Sequence, residues 1–567
     1  MGGAPSGTAG YDAALERRQA LMGKSGPRAL VKNWRVARIA CFACLGGVLY
    51  GYNQGMFSGI LVMPSFGKHT DGYIDNPTNK GWLTSILELG AWLGAVMSGA
   101  TAEIFSRKYG ILIATAFFLL GVVVQAVSIT GGYKPILAGR FITGIGVGSL
   151  STIVPLYNSE CAPPEVRGAL VGLQQLAITF GIMISFWINY GCNYIGGTTL
   201  ETQSDAAWLV PICLQVAPAL LLFFGMLWMP FSPRWLLHHG REDEARQVLS
   251  HLRHLPGTHE LVELEFLEIK AQSLFEKRSI AERFPHLQAQ TAWNTTKLQF
   301  VAILALFQTK AMFKRVVVAT VTMTAQQWSG INAVLYYAPS IFEQLGLSST
   351  TTSLLATGVV GIVMFIATIP AVLWIDRVGR KPVLAVGALG MSLSHFIIAV
   401  ILAMNIDRFE TQQASGWAAV VMVWLFVIHF GYSWGPCAWI LIAEIWPLST
   451  RPYGVSLGAS SNWMNNFVVG QVTPDMLENI TYGTYILFGL LTFLGACFIW
   501  FFVPETKRLS LEEMDIIFGS EGTAQADFER MDEINREIGL FDLINTGRLA
   551  TRHSHDSEKK HPIEHDV

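Results

Sequence analysis

Runs of about 20 apolar residues recur along this chain, separated by short stretches rich in Gly, Pro and charge. A helix of about that length rises about 30 Å, enough to cross the hydrocarbon core of a bilayer. The pattern predicts twelve such helices: 37–62, 81–101, 110–130, 135–157, 168–190, 207–230, 315–340, 350–375, 382–404, 417–443, 452–476 and 484–503. A long polar stretch, 231–314, with amphipathic helical patterns such as "REDEARQVLSHL", divides them six and six. The expected architecture is all-α and polytopic: an N-terminal tail (1–36), a six-helix half (37–230), a cytoplasmic helical linker (231–314), a second half (315–503) and a C-terminal tail (504–567).

Composition agrees with the pattern. The chain is 51% hydrophobic and only 14% charged, against about a quarter charged in soluble proteins. A net charge of −2 carries no nucleic-acid signal. The seven cysteines sit mostly in or beside apolar runs without metal-ligand spacing, and read as small packing residues. No metal or cofactor site is expected. The polar first 36 residues give no cleavable signal sequence.

The short loops set the orientation. "SRKYG" (106–110), "PPEVRG" (163–168), "DRVGRK" (376–381) and "STRPYG" (449–454) all follow even-numbered spans, whereas 191–206 and 341–350 carry no Lys or Arg. Positive charge stays in the cytoplasm, so both termini are expected there. The two halves also repeat one another. Glu103 leads Arg107 by four as Asp376 leads Arg380, and Glu160 leads Arg167 by seven as Glu444 leads Arg451. Like halves related by an axis along the membrane normal are a transporter architecture.

The motifs "GRFITGIGVG" (139–148), "VPLYNSECAPPEVRG" (154–168), "QQWSGINAVLYYAP" (326–339), "WGPCAW" (434–439), "EIWPLSTRPYG" (444–454), "SNWMNNFVVG" (461–470) and "PETK" (504–507) occur in this order. Together with "DRVGRK" they make the sequence resemble the sugar porters of the major facilitator superfamily over about 37–520, in wording closest to fungal monosaccharide transporters. The resemblance implies a twelve-helix carrier that moves a hexose-like sugar by alternating access, working as a monomer in the plasma membrane. It matches Gln175, Gln326, Gln327, Asn332 and Asn466 to sugar-hydroxyl ligands, Trp439 to a ring-stacking aromatic and Phe430 to a lining aromatic. The chemistry is consistent: sugars both donate and accept hydrogen bonds, as amides do. Gln327, Asn332 and Tyr336, spaced five and four apart, share roughly one helical face. Trp463 reads equally as packing or as sugar contact.

The acid–base residues at helix ends, Glu103, Arg107, Glu160, Arg167, Asp376, Arg380, Glu444 and Arg451, read as a latch that bridges the halves when the cytoplasmic side is shut. Departures from the resembling pattern are Glu103, Ile104 and Ser106 in "EIFSR", Phe231 in "PFSPR", and Met364 in place of an amide.

The energy source turns on the first span. Proton-coupled relatives carry an Asp where "GYN" puts Asn53, facing the position of Arg140. An amide cannot titrate, so a uniporter is expected, with Arg140 lacking its usual counter-ion. Glu88 complicates this: an acid inside a span could pair with Arg140 or carry a proton, which would make the protein a proton–sugar symporter. A sugar receptor that signals without transport is a third reading, disfavoured by the short tail. No catalytic motif points to an enzyme. His395 and His429 read as helix-packing residues, and the glycines of 144–148 as sites of close helix approach. Of two sequons, "NIT" (479–481) falls in an outer loop and "NTT" (294–296) in the cytoplasmic linker.

Overall fold

The computed structural model describes residues 34–287, 291–347, 349–405, 408–409, 412–507, 511–520, 523–541 and 543. The predicted spans form helices: Trp34–Ile60, Pro77–Phe105, Arg107–Ala126, Tyr133–Cys161, Pro164–Cys192 and Ala206–Trp228 in the first half. The second half holds Lys310–Gln327 with Ile331–Gln344, Thr350–Val378, Arg380–Asn405, Gln413–Glu444, Arg451–Asn479 and Tyr482–Phe502.

Ten of these have the length and hydropathy of a membrane span. The seventh and eleventh do not, and the reason is chemical. The seventh breaks at "WSG", where Gly330 takes a φ of +89°; the eleventh is crowded with Ser, Asn and Gly. A break inside a span frees backbone groups that need partners. Here Ser329 O accepts a hydrogen bond from His395 Nε2 at 2.8 Å, so His395 is a helix-packing residue with a definite task. The tenth span also breaks, at Ser433, and Gln326 Nε2 donates to the Trp434 carbonyl across that break at 2.7 Å.

Close helix approach is built in where the sequence carries glycine. A Cβ on Gly148 of the fourth span would lie 1.9 Å from Ala91 O of the second, and one on Gly144 would lie 2.1 Å from Leu87 O. Gly148→Leu is therefore expected to force the second and fourth spans apart, at about 1–3 kcal/mol or more for overpacking. Thermal unfolding of the detergent-solubilised protein followed by size-exclusion chromatography should show the loss; an unchanged midpoint would contradict this packing.

The linker folds as helices Pro233–His238, Glu242–Arg253, Glu260–Arg283 and Ala292–Ala305. The last, carrying the "NTT" sequon, lies against the second span, with Gln299 beside Gly99. The C-terminal tail, for which the sequence pattern predicts no helix, forms two further helices among the described residues. Leu511–Phe518 is fastened to the seventh span by the fully buried Arg315, which donates to Asp515 at 2.5 Å and to Ile445 O at 2.8 Å. Thr523–Glu537 packs Ile534 on Phe275 of the linker, with an Arg530–Glu282 ion pair. All seven cysteines are free, and no metal-ligand cluster occurs among the described residues.

Candidate functional site

A cavity of about 2190 Å³ lies between the halves. It opens at the end of the bundle that carries the linker helices; Glu276, Lys277 and Arg283 line its mouth. At its inner end stand Gln175, Gln326, Gln327, Asn332, Phe430, Trp439 and Trp463, so seven of the nine residues predicted to hold the substrate come together around one space. Asn332 Nδ2 donates to Gln327 Oε1, leaving Gln327 Nε2 and Asn332 Oδ1 without a protein partner among the described residues. Gln326 is more committed to the protein: its carbonyl accepts from Asn462 at 2.6 Å while its amide spans the tenth-helix break. Trp463 packs on Tyr50 with ring centroids 5.3 Å apart, and Met364 also lines the cavity.

The other two, Tyr336 and Asn466, are absent from the cavity wall. They lie beyond it, in the closed end opposite the linker. There the Tyr336 hydroxyl donates to Glu88 Oε1 at 2.8 Å and Asn466 Nδ2 donates to Glu88 Oε2 at 2.9 Å. Further bonds join the halves at that end: Lys80 to Ser340 at 3.0 Å, Ser85 to Gln471 at 3.0 Å, and Thr78 to Asp475 at 2.9 Å. The bundle is thus shut at one end and open at the other.

Sequence reasoning missed several residues at the cavity's inner end. Gln54, Tyr50, Trp92 and Asn462 line it, with Trp92 Nε1 on Ser460 Oγ at 2.8 Å. Gln174, next to the predicted Gln175, is buried with both amide atoms unbonded to protein among the described residues. The signal for Gln54 was available, since it lies four residues from Tyr50 and bonds its hydroxyl at 3.2 Å. Gln174 could not be told from Gln175 without knowing which way the helix faces.

A family model described as sugar (and other) transporter matches residues 39–518. The chain belongs to that family. Among curated relatives it is similar to a quinate permease of Neurospora africana (35% identical, 89% of this chain and 92% of that protein). It is also similar to a probable quinate permease of Aspergillus niger (31% identical, 91% and 94%). Among solved structures it is similar to a proton:xylose symporter, XylE, bound to 6-bromo-6-deoxy-D-glucose (28% identical, TM-score 0.67, 85% of this chain and 99% of that one). An inward-open conformation of xylose transporter XylE from E. coli also gives a TM-score of 0.67, at 27% identity over 85% and 99%. The protein is a multi-pass membrane transporter and not an enzyme.

In this transporter no hydrogen bond among the described residues joins the predicted coupling residues Asn53 and Arg140. Asn53 Nδ2 donates to Gln215 Oε1 of the sixth span at 2.8 Å and to Leu49 O at 3.1 Å; no bond joins it to Arg140. Arg140, 2% exposed, donates to Thr84 O at 2.8 Å and lies 3.9 Å from the Phe57 ring centroid. Glu88 forms no ion pair with Arg140 among the described residues. An amide–amide bond and a backbone carbonyl of its own helix therefore hold Asn53, and a backbone carbonyl with an aromatic face holds the guanidinium.

Among the described residues, the helix-end charges pair within each half. Arg107 binds Glu103 at 2.8 Å and Glu160 at 2.9 Å, and Arg380 binds Glu444 at 2.7 Å. These are equivalent bonds in the two repeats, but the sequence spacing suggested other pairs: Glu444 goes to Arg380, while Arg451 donates to Trp446 O at 3.4 Å. Each acid also accepts from a hydroxyl after the sixth helix of its half, Glu160 from Ser232 and Glu444 from Thr506. The side chains of Arg167 and Asp376 lie outside the described residues. Beside this network, burial pushes the His238 imidazole below its ordinary value against the pull of Glu103, and raises the Glu276 carboxyl against Arg234.

The departures at Ser106 and Phe231 explain each other. In the second half, Glu505 accepts from the backbone N–H groups of Arg380 and Lys381 at 2.9 and 3.1 Å, capping that helix, and Gly379 supplies a φ of +105°. In the first half Phe231 takes the place of that acid. It stacks on Trp235 and lies under Lys108, and cannot cap. Ser106 takes the glycine's place at a φ of +87° and accepts from Tyr109 N–H at 3.3 Å. The cap has moved into the loop. Ser106→Ala should keep the backbone strain and lose the cap, costing about 1 kcal/mol. Ser106→Gly should lose the cap but relieve the strain. Melting midpoints in detergent should fall for Ala and stay near wild type for Gly; equal losses would contradict the exchange.

Proposed function

We propose that this carrier moves a hexose-sized, polyhydroxylated ring across the plasma membrane by alternating access, as a monomeric facilitative uniporter. What carries this reading is the uncharged inner end of the cavity. Gln327 and Asn332 offer paired donors and acceptors, Gln174 and Gln175 stand nearby, and Trp439 and Trp463 provide apolar faces. Such a surface suits a ring with alternating hydroxyls and C–H faces. Uniport is supported by Asn53, whose bond to Gln215 has no titratable member. With the linker end in the cytoplasm, as the Lys and Arg distribution suggests, the conformation described is open to the inside.

A second reading has its own support. The curated relatives include quinate permeases, and quinate is a cyclic polyol that carries a carboxylate. A buried Glu88 close to the site would then serve as the proton carrier for an anionic substrate. Uptake of radiolabelled D-glucose and of quinate into proteoliposomes, each competed by the other unlabelled, tests the choice. Glucose uptake insensitive to quinate supports the first reading; quinate uptake insensitive to glucose overturns it. No uptake of either would favour a sensor.

A further inference from the structure

We infer that Glu88 fastens the closed end of the bundle by withdrawing two substrate ligands from the cavity. Glu88 belongs to the second span, in the first half; Tyr336 and Asn466 belong to the seventh and eleventh spans, in the second half. Both Glu88 oxygens are used, one by each partner, at 2.8 and 2.9 Å. Tyr336 in turn lies 3.0 Å from Asn466 Oδ1 and accepts from Gln54 Nε2 at 3.4 Å. Glu88 itself is 1% exposed.

A carboxylate so buried is costly unless its lone pairs are satisfied. Here both bonds that satisfy it cross between halves, so opening this end strips the carboxylate of both donors at once. Bonds to an ionised acceptor are also stronger than those between neutral groups. The carboxylate therefore biases the carrier toward the conformation shut at this end. The same contacts explain why Tyr336 and Asn466 are missing from the cavity wall while their neighbours line it. Glu88 occupies the donors that a sugar hydroxyl would take. The ligand-withdrawal part rests on reading these two residues as substrate ligands; the fastening part does not. Arg140 is bonded to Thr84 O and lies on the Phe57 face, and makes no ion pair with Glu88 among the described residues. Glu88 is thus a positioning residue in a two-state gate.

The test reads conformation directly. Spin labels are placed at Glu201→Cys and Asn479→Cys, exposed positions in a loop and at a helix end on the closed side, with the exposed Cys41 and Cys213 replaced by serine. Distances are measured in lipid nanodiscs without substrate. Glu88→Gln keeps at most one acceptor and no charge, and Tyr336→Phe removes only a hydroxyl. Each should raise the ratio of long to short distances about tenfold, the scale of one charge-assisted bond. The double variant should move it no further than Glu88→Gln alone. Distributions unchanged in both single variants would overturn the proposal. The readout needs no transported sugar, so failure of the glucose reading leaves it intact.

Discussion

Asn332→Ala and Gln327→Ala are each expected to raise the KM for the transported ring about tenfold or more, with the folded carrier still made in normal amounts. The size follows from the pair. Asn332 Nδ2 donates to Gln327 Oε1, so removing either side chain deletes a substrate contact and also leaves its partner's buried amide unsatisfied. A neutral hydrogen bond contributes only about 0.5–1.5 kcal/mol net, whereas an orphaned buried polar group costs about 1–3 kcal/mol. Because the two residues act as one unit, the double variant should lose less than the product of the single losses. A KM unchanged in both single variants would remove this pair from the site.

Arg107→Met should lower stability more than any cavity substitution. Arg107 is nearly buried and holds Glu160, Glu103 and the Ala102 carbonyl together. Breaking such a pair from one side leaves Glu160 charged and buried, at about 3–5 kcal/mol. Glu160→Gln leaves no stranded acid and should cost less. Thermal stability of purified protein in detergent should rank wild type above Glu160→Gln and Glu160→Gln above Arg107→Met. The reverse order of the two variants would show that the network owes little to charge compensation.

Most of the architecture was legible because a bilayer leaves the chain few choices. Apolar runs of span length must be helices there, and the repeated acids and bases marked the two halves. What escaped was local and depended on orientation. The seventh and eleventh helices were read correctly as spans despite their poor hydropathy, since the amides that spoil it find partners in the cavity, on neighbouring helices or across the halves. Which amide does which was not readable: Gln326 and Gln327 are adjacent, yet one ties helix breaks together and the other meets Asn332. The pairing of Asn53 with Gln215 joins residues 162 apart, beyond any spacing argument. Glu88 stood out as an acid in a span, but its partners came from the opposite half. The exchange of Phe231 for a capping acid and Ser106 for a glycine appeared in sequence as two separate defects; only the shared helix end shows one compensating the other. The tail helices were missed because their stability comes from Arg315 and the linker, not from their own pattern.

The central claim is facilitated transport of a polyhydroxylated ring through the amide-lined cavity, and sugar accumulation in proteoliposomes under an imposed pH gradient tests it most directly. With radiolabelled D-glucose at equal concentration on both sides, the account predicts that an acidic exterior drives no net uptake, while exchange of label proceeds. Accumulation of glucose above the external concentration, abolished by collapsing the pH gradient, would contradict it.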